Sequence, residues 1–124
     1  MDFSKESTKD LPNHGFDSSL PTCWILEGLV MYLQAAEVTN LLNELSDLSA
    51  SGSFLILNYV NNPAVKDPYT PSDIKGMSPV LKEKGWINEN RLYFGHEDFN
   101  FGRFPEGIKP NAMENFGFAF YDKA

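Results

Sequence analysis

Glu27 closes an apolar run of strand length, Cys23 to Leu26, and Gly28 follows it directly. A parallel strand covered on both sides reads as an unbroken apolar run, and ligands of open α/β sheets sit outside the carboxyl ends of such strands. Glu27 therefore stands where a ligand-binding carboxylate belongs, with Gly28 letting the chain turn tightly beside the ligand. The alternative is a glutamate that simply ends a strand at the solvent. Arg103, one of only two arginines, lies in the turn Gly102-Arg103-Phe104-Pro105. Its guanidinium fork matches a carboxylate, either that of a substrate or that of a partner on an acidic surface. His14 and His96 share no metal-ligand spacing and read as surface or loop residues, so no metal is expected. Cys23 is the single cysteine. It has no internal disulfide partner, and its apolar surroundings read as those of a core thiol. Trp24 and Trp86 read as core and helix-packing residues.

The elements that must position these groups follow from periodicity. Thr22 to Glu27 reads as a strand. Val38, Leu41, Leu42, Leu45 and Leu48 recur at the spacing of a helix with one buried face, and Ser51-Gly52 is expected to end it. Ser53 to Val60, reading SFLILNYV, is a second strong strand. Residues 4–20 read as a loop with one helical turn. Residues 61–78, interrupted by Pro63, Pro68 and Pro71, read as irregular, with a helical turn near Ser72 to Lys75. Ser78 caps a short helix with Pro79 at its first position and Gly85 just beyond its end. Arg91 to Glu97 reads as a strand, residues 98–111 as a loop, and Asn115 to Tyr121, with Phe116, Phe118 and Phe120 alternating, as the final strand.

A chain of 124 residues has room for one domain with a real core. Hydrophobic residues at 42% with aromatics at 14% make the composition globular, and ten phenylalanines point to aromatic packing around a sheet. The formal net charge of −7 argues against nucleic acid and against anionic membrane surfaces. No apolar run reaches the roughly 18 residues needed to span a bilayer. The first ten residues are polar and of mixed charge, unlike a signal peptide, so the expected location is cytoplasmic.

Pro21-Thr22, Glu27-Gly28-Leu29 and Met31-Tyr32-Leu33 together resemble the signature of the leucine carboxyl methyltransferase family, a branch of the S-adenosylmethionine-dependent methyltransferases. Gly52-Ser53 before an apolar strand, Gly85-Trp86 after a short helix and Phe101-Gly102-Arg103-Phe104-Pro105 resemble later family landmarks in the same order. The Glu-Gly-Leu form is closer to the bacterial-type O-methyltransferases than to the enzymes that methylate a protein phosphatase. The resemblance implies an α/β fold: part of a Rossmann-like class I methyltransferase sheet, mostly parallel, its antiparallel last strand inserted between the second strand and the one before it. Two family features are missing from the sequence. One is the glycine-rich turn that cradles the cofactor's methionine end, and the other is the acidic residue that binds its ribose. Met1-Asp2-Phe3 resembles the end of the family's third strand. Residues 1–124 thus resemble a single domain corresponding to the C-terminal half of a methyltransferase domain.

The resemblance implies S-adenosyl-L-methionine as cofactor. The implied acceptor is a carboxylate or other oxygen of a small molecule or a protein C-terminus. Methyl transfer to a carboxylate starts from an anion and releases a neutral thioether, so positioning and exclusion of water supply most of the rate. Asp2 and Phe3 match family positions that touch adenine, although the first residues of an isolated chain fray. Glu27 matches a cofactor-contacting glutamate that pairs with the ligand's positive methionine end. Tyr32 matches a tyrosine at the pocket mouth, where its phenol could orient a substrate carboxylate; the alternative is a ring packed under the following helix. Arg103 completes the implied substrate-binding set. The second reading is a non-catalytic, truncated module that needs a partner chain. In either case the Cys23 strand has an unpaired edge, which predicts self-association or pairing with a chain supplying the other half.

Overall fold

The structure, a computed structural model, describes residues 6–61, 72–93 and 116–124. Four strands, β1 (Cys23–Leu26), β2 (Phe54–Val60), β3 (Trp86–Tyr93) and β4 (Phe116–Lys123), form one sheet in the order β1-β2-β4-β3. β1 and β2 pair in parallel, with Cys23 opposite Phe54 and Leu26 opposite Leu57. β4 is antiparallel to both β2 and β3, so the last strand is inserted where the sequence places it. Helices α1 (Ala35–Asp47) and α2 (Ile74–Glu83) connect the strands. Among the described residues, no helix is long and apolar enough to cross a membrane.

α1 forms because its apolar residues share one stripe: Val38, Leu41, Leu42 and Leu45 are all buried. At its start the Glu37 carboxylate accepts from the Gln34 N–H at 2.9 Å, satisfying a donor that has no partner within the helix. The helix ends at Asp47, earlier than Ser51-Gly52. Ser49 is instead drawn into side-chain bonds, donating to the Leu45 carbonyl and accepting from the Trp24 indole at 2.7 Å. Gly52, at φ +87°, turns the chain into β2.

α2 corrects the expected boundary. It starts at Ile74 rather than at Ser78, capped by the Asp73 carboxylate, which accepts from the Lys75 N–H at 2.8 Å. Pro79 therefore lies inside the helix and leaves the Lys75 carbonyl without its usual partner. Both residues face solvent, where water can replace that bond. The buried stripe is Ile74, Met77, Ser78 and Leu81.

β3 also departs from expectation, beginning at Trp86 and not at Arg91. Asn88 sits at φ +57°, and the register with β4 jumps between Ile87 and Asn90. This bulge breaks the two-residue alternation on which a sequence reading of the strand depends. Residues 94–97 lie outside the described residues.

One cluster forms the core: Leu26, Val30, Leu55, Leu57, Tyr59, Trp86, Ala119 and Tyr121 meet the buried stripes of α1 and α2. All of these except Val30 are strand residues, and they point to the same side of the sheet. The phenylalanines of β4 do not: Gly117, Ala119 and Tyr121 face the helices, while Phe116, 42% exposed, and its alternates face away. Cys23 shares that far side and is exposed, which corrects the expectation of a core thiol. The apolar run around it reflects a strand with two apolar faces, only one of which a described helix covers. Before β1, residues Thr8–His14 form a 3-10 helix that docks on α1. There the Thr8 hydroxyl and N–H donate to Glu44 Oε2 at 2.6 and 3.2 Å.

Candidate functional site

β1 and β2 run parallel, so their carboxyl ends open on the same edge of the sheet. β1 stops at Leu26, 8% exposed, and Glu27 follows with its carboxylate in solvent. Gly28 takes φ +61°, in the left-handed region that disfavours side chains, and a Cβ there would meet nothing within 4 Å. The glycine is thus required by backbone conformation and leaves open space beside Glu27. A short 3-10 turn, Val30–Tyr32, comes next, anchored by the fully buried Val30. The Tyr32 N–H donates to the Leu29 carbonyl at 3.0 Å, and its ring stands 83% exposed. The packed alternative for Tyr32 is therefore overturned, because Val30 takes the inward position.

The exit of β2 is built from polar residues that carry no periodic signal. The Ser72 hydroxyl donates to the Val60 carbonyl at 3.0 Å, and the Val60 N–H donates to the Ser72 carbonyl at 3.0 Å. Asn61 Oδ1 accepts from the Ile74 N–H at 3.0 Å, next to the Asp73 cap. Together they fix the start of α2 at the carboxyl end of β2. Asp73 is buried, and its Oδ1 is used in this cap.

A second polar cluster lies between α2 and the edge strand β3. Glu89, turned inward at the bulge, accepts from Ser78 at 2.8 Å and from Arg91 Nε at 2.7 Å, with Lys82 Nζ at 3.3 Å. Burial works to raise the Glu89 carboxyl, but these donors and cations prevail and hold it below the ordinary glutamate range. Burial pushes the Tyr121 phenol far above its ordinary value, and the Glu89 carboxylate adds to the effect. Tyr59 is raised for the same first reason, with Arg91 opposing. The Ser78-x-x-x-Lys82 spacing on a helix and the Glu89-x-Arg91 spacing on a strand are the signals that could have revealed this cluster. Its cations are spent on Glu89, so it serves the fold.

The structure thus brings Glu27, Gly28 and Tyr32 to one exit of the sheet. Asp2, Phe3, Arg103 and His96 lie outside the described residues. His14 is exposed at the end of the N-terminal 3-10 helix. Among the described residues, no cluster of histidine, cysteine and carboxylate side chains could hold a metal ion.

Comparison with known proteins bears on this exit. Residues 1–46, which contain Glu27, Gly28 and Tyr32, match the family model of leucine carboxyl methyltransferase. A relative from Mycolicibacterium vanbaalenii, named as an S-adenosyl-L-methionine-dependent methyltransferase, is 48% identical over 62% of this chain and 32% of its own length. One of the same name from Mycobacterium marinum is 43% identical over 84% of this chain and 30% of its own. The chain spans about a third of the length of these curated relatives. Among solved structures, an N-methyltransferase (NodS) from Bradyrhizobium japonicum, in complex with S-adenosyl-L-homocysteine, aligns with a TM-score of 0.57. It is 9% identical and covers 99% of this chain and 52% of that one. A methyltransferase from Methanosarcina mazei aligns with a TM-score of 0.55 at 12% identity, covering 99% of this chain and 65% of that one. At these identities the likeness is one of fold: the α/β sheet described above is shared with S-adenosylmethionine-dependent methyltransferases.

Proposed function

We propose that this chain contributes to an S-adenosylmethionine-dependent methyltransferase whose acceptor is a carboxylate or other oxygen of a small molecule or a protein C-terminus. One observation carries the reading: an exposed carboxylate, Glu27, on a glycine turn of positive φ at the carboxyl end of a parallel strand, in a sheet of methyltransferase order. A carboxylate in that place can pair with the ammonium of the cofactor's methionine end. When bound, the cofactor supplies an activated methyl group and a neutral thioether leaving group. Tyr32 is exposed on the same turn, and its phenol would donate a hydrogen bond to an acceptor carboxylate and orient it. Arg103 would pair with that carboxylate, and Asp2 and Phe3 would cover the adenine.

The sequence contains no glycine-rich turn for the cofactor. The chain alone should therefore bind S-adenosylhomocysteine weakly. Titration to millimolar ligand, followed by amide chemical shifts, should move the signals of Glu27 to Tyr32, and Glu27→Gln should abolish the response. Unmoved signals in that turn, or an equal response in the variant, would remove Glu27 from the site. A micromolar dissociation constant, about −8 kcal/mol, would mean that the missing turn is dispensable. Among the described residues no strand lies beside the outer edge of β1, which favours a second reading, a non-catalytic module that acts only with a partner chain. Absence of any methyl transfer once a partner is bound would select it.

A further inference from the structure

Asn58 interrupts the apolar run of β2, FLILNYV, two residues before the strand ends. It is half-buried and points away from the helices, on the same side as Phe54, Ile56 and Val60. An amide among apolar neighbours costs free energy unless it is hydrogen-bonded. Its Nδ2 donates to the Gly117 carbonyl of β4 at 2.8 Å. β4 lies on one side of β2, and β1 lies on the other. The oxygen and nitrogen of a side-chain amide diverge from one carbon. An amide whose nitrogen is turned to β4 therefore turns its Oδ1 toward β1.

The exit described above stands on that side. Leu26 of β1 pairs with Leu57 of β2, so one step further along the parallel strands Glu27 comes level with Asn58. By alternation Glu27, two residues on from Ile25, belongs to the same side of the sheet as Asn58. The Glu27 carboxylate and Asn58 Oδ1 are thus two acceptors on adjacent strands at one opening. An ionised carboxylate and an amide oxygen both lack a proton to give, so they cannot satisfy each other. A tie between β2 and β4 does not by itself account for the amide. Backbone pairing already joins those strands from Phe54 to Val60, and a side-chain bond adds little to it.

We propose that Asn58 is a ligand-binding residue of this exit, and that its Oδ1 and the Glu27 carboxylate together receive one ammonium group of an α-amino acid moiety. An ammonium carries three N–H donors, so each acceptor takes one, and its charge favours the carboxylate. The bond from Nδ2 to Gly117 sets the amide in advance, so little ordering is left to do when the ligand arrives. The same two oxygens repel an anion, so an acceptor carboxylate would lie beyond them, on the side of Tyr32. The inference rests on the methyltransferase reading, in which the ammonium is that of the cofactor's methionine end, and adds Asn58 to the group that holds it.

The test titrates the full chain with S-adenosylhomocysteine to millimolar concentration, and then with the analogue that carries hydrogen in place of the amino group. The side-chain amide signals of Asn58 and the backbone signals of Glu27 to Tyr32 are followed together. Both sets should move with the amine-bearing ligand, and the analogue should give a response at least about fivefold smaller at equal concentration. Asn58→Leu, which suits an apolar strand, should lower that preference at least about threefold. Asn58→Asp keeps an acceptor oxygen but loses the donor to Gly117, and it should retain the preference. A residue that only tied β2 to β4 would respond otherwise: both variants would weaken the two ligands alike. Equal responses to the two ligands, a preference untouched by Asn58→Leu, or one lost in Asn58→Asp each overturn the proposal. Should Asn58→Leu fail to fold, the Asn58 signals of the unaltered chain and the Asn58→Asp comparison decide the matter. If the Glu27 to Tyr32 signals move while those of Asn58 do not, this proposal fails and the methyltransferase reading stands. If neither set moves, both fail.

Discussion

The indole Nε1 of Trp86 donates to the hydroxyl of Ser46 at 2.8 Å, joining the first residue of β3 to the buried stripe of α1. Trp86 is fully buried, and the Ser46 hydroxyl in turn donates a hydrogen bond to the Leu42 carbonyl one turn back. Ser46→Ala would strand a buried donor. The expected loss is about 1–3 kcal/mol of unfolding free energy, read as a lower urea midpoint at constant slope. A change within experimental error would mean that the indole finds water.

Tyr121 presents the opposite case. It is fully buried, and its hydroxyl lies close to Ser78 and Glu89, but among the described residues it makes no hydrogen bond of ordinary geometry. Tyr121→Phe keeps the ring and removes the unpaired group. Unfolding free energy should stay level or rise by at most about 1–3 kcal/mol, read as an unchanged or higher urea midpoint at constant slope. A clear loss of stability would reveal a partner for the hydroxyl.

Acid should weaken the fold through Glu44. Burial opposes its charge, but the Thr8 and Ser7 hydroxyls and the Thr8 N–H hold the carboxyl below its ordinary value of 4.5. A carboxyl lowered in the folded state binds protons more readily when unfolded. Its contribution is therefore complete above the ordinary value and is lost as pH falls through the folded one. Unfolding free energy should decline as pH falls below the ordinary value, and Thr8→Ala should make that decline shallower. An identical pH profile in the variant would show that the Thr8 bonds do not set the shift.

Two glycines should respond differently to alanine. At Gly28 the added Cβ meets nothing, so only the positive φ is penalised, at about 1–2 kcal/mol. At Gly117 the Cβ would stand 2.4 Å from the Leu92 carbonyl oxygen and 2.8 Å from the Tyr93 Cα, both backbone atoms that cannot move without separating β3 from β4. Gly117→Ala should therefore be much the more damaging in thermal melts, with amide exchange accelerated along β3. Equal melting temperatures would contradict this close approach.

The parts legible in sequence are those with a period. α1 and β2 are recognisable because a stripe of leucines at helical spacing and a strongly apolar run broken only by Asn58 admit few other folds, and Gly28 because a strand exit needed φ above zero. What escaped depends on contacts between distant residues. Asn61 and Ser72 sit within one clasp, yet nothing in the intervening sequence pairs them. The bulge at Asn88 shifted the alternation of β3, hiding Trp86 as a strand residue. Cys23 misled because an apolar run records that a strand has apolar faces, not which face the described helices cover. At the candidate site, Glu27 and Tyr32 were found through their place in the chain, whereas the Glu89 cluster forms only when α2 and β3 meet.

The insertion of β4 between β2 and β3 has a kinetic consequence. Phe54 pairs with Asp122, 68 positions further along the chain, and β3 is held to the rest of the sheet through β4 alone. Among the described residues, no two paired strands are joined by a tight hairpin that could nucleate this arrangement. α1 and the neighbouring β1 and β2 can form from contacts nearer in sequence, but β3 pairs only with the last strand of the chain, more than 20 residues on. Closing such loops costs entropy before any pairing rewards it, so folding should fall on the millisecond-to-second side of the range for domains of this size. During that delay the apolar strands would be open to one another across molecules, and refolding yield should depend on protein concentration more steeply than the modest size of the chain would imply.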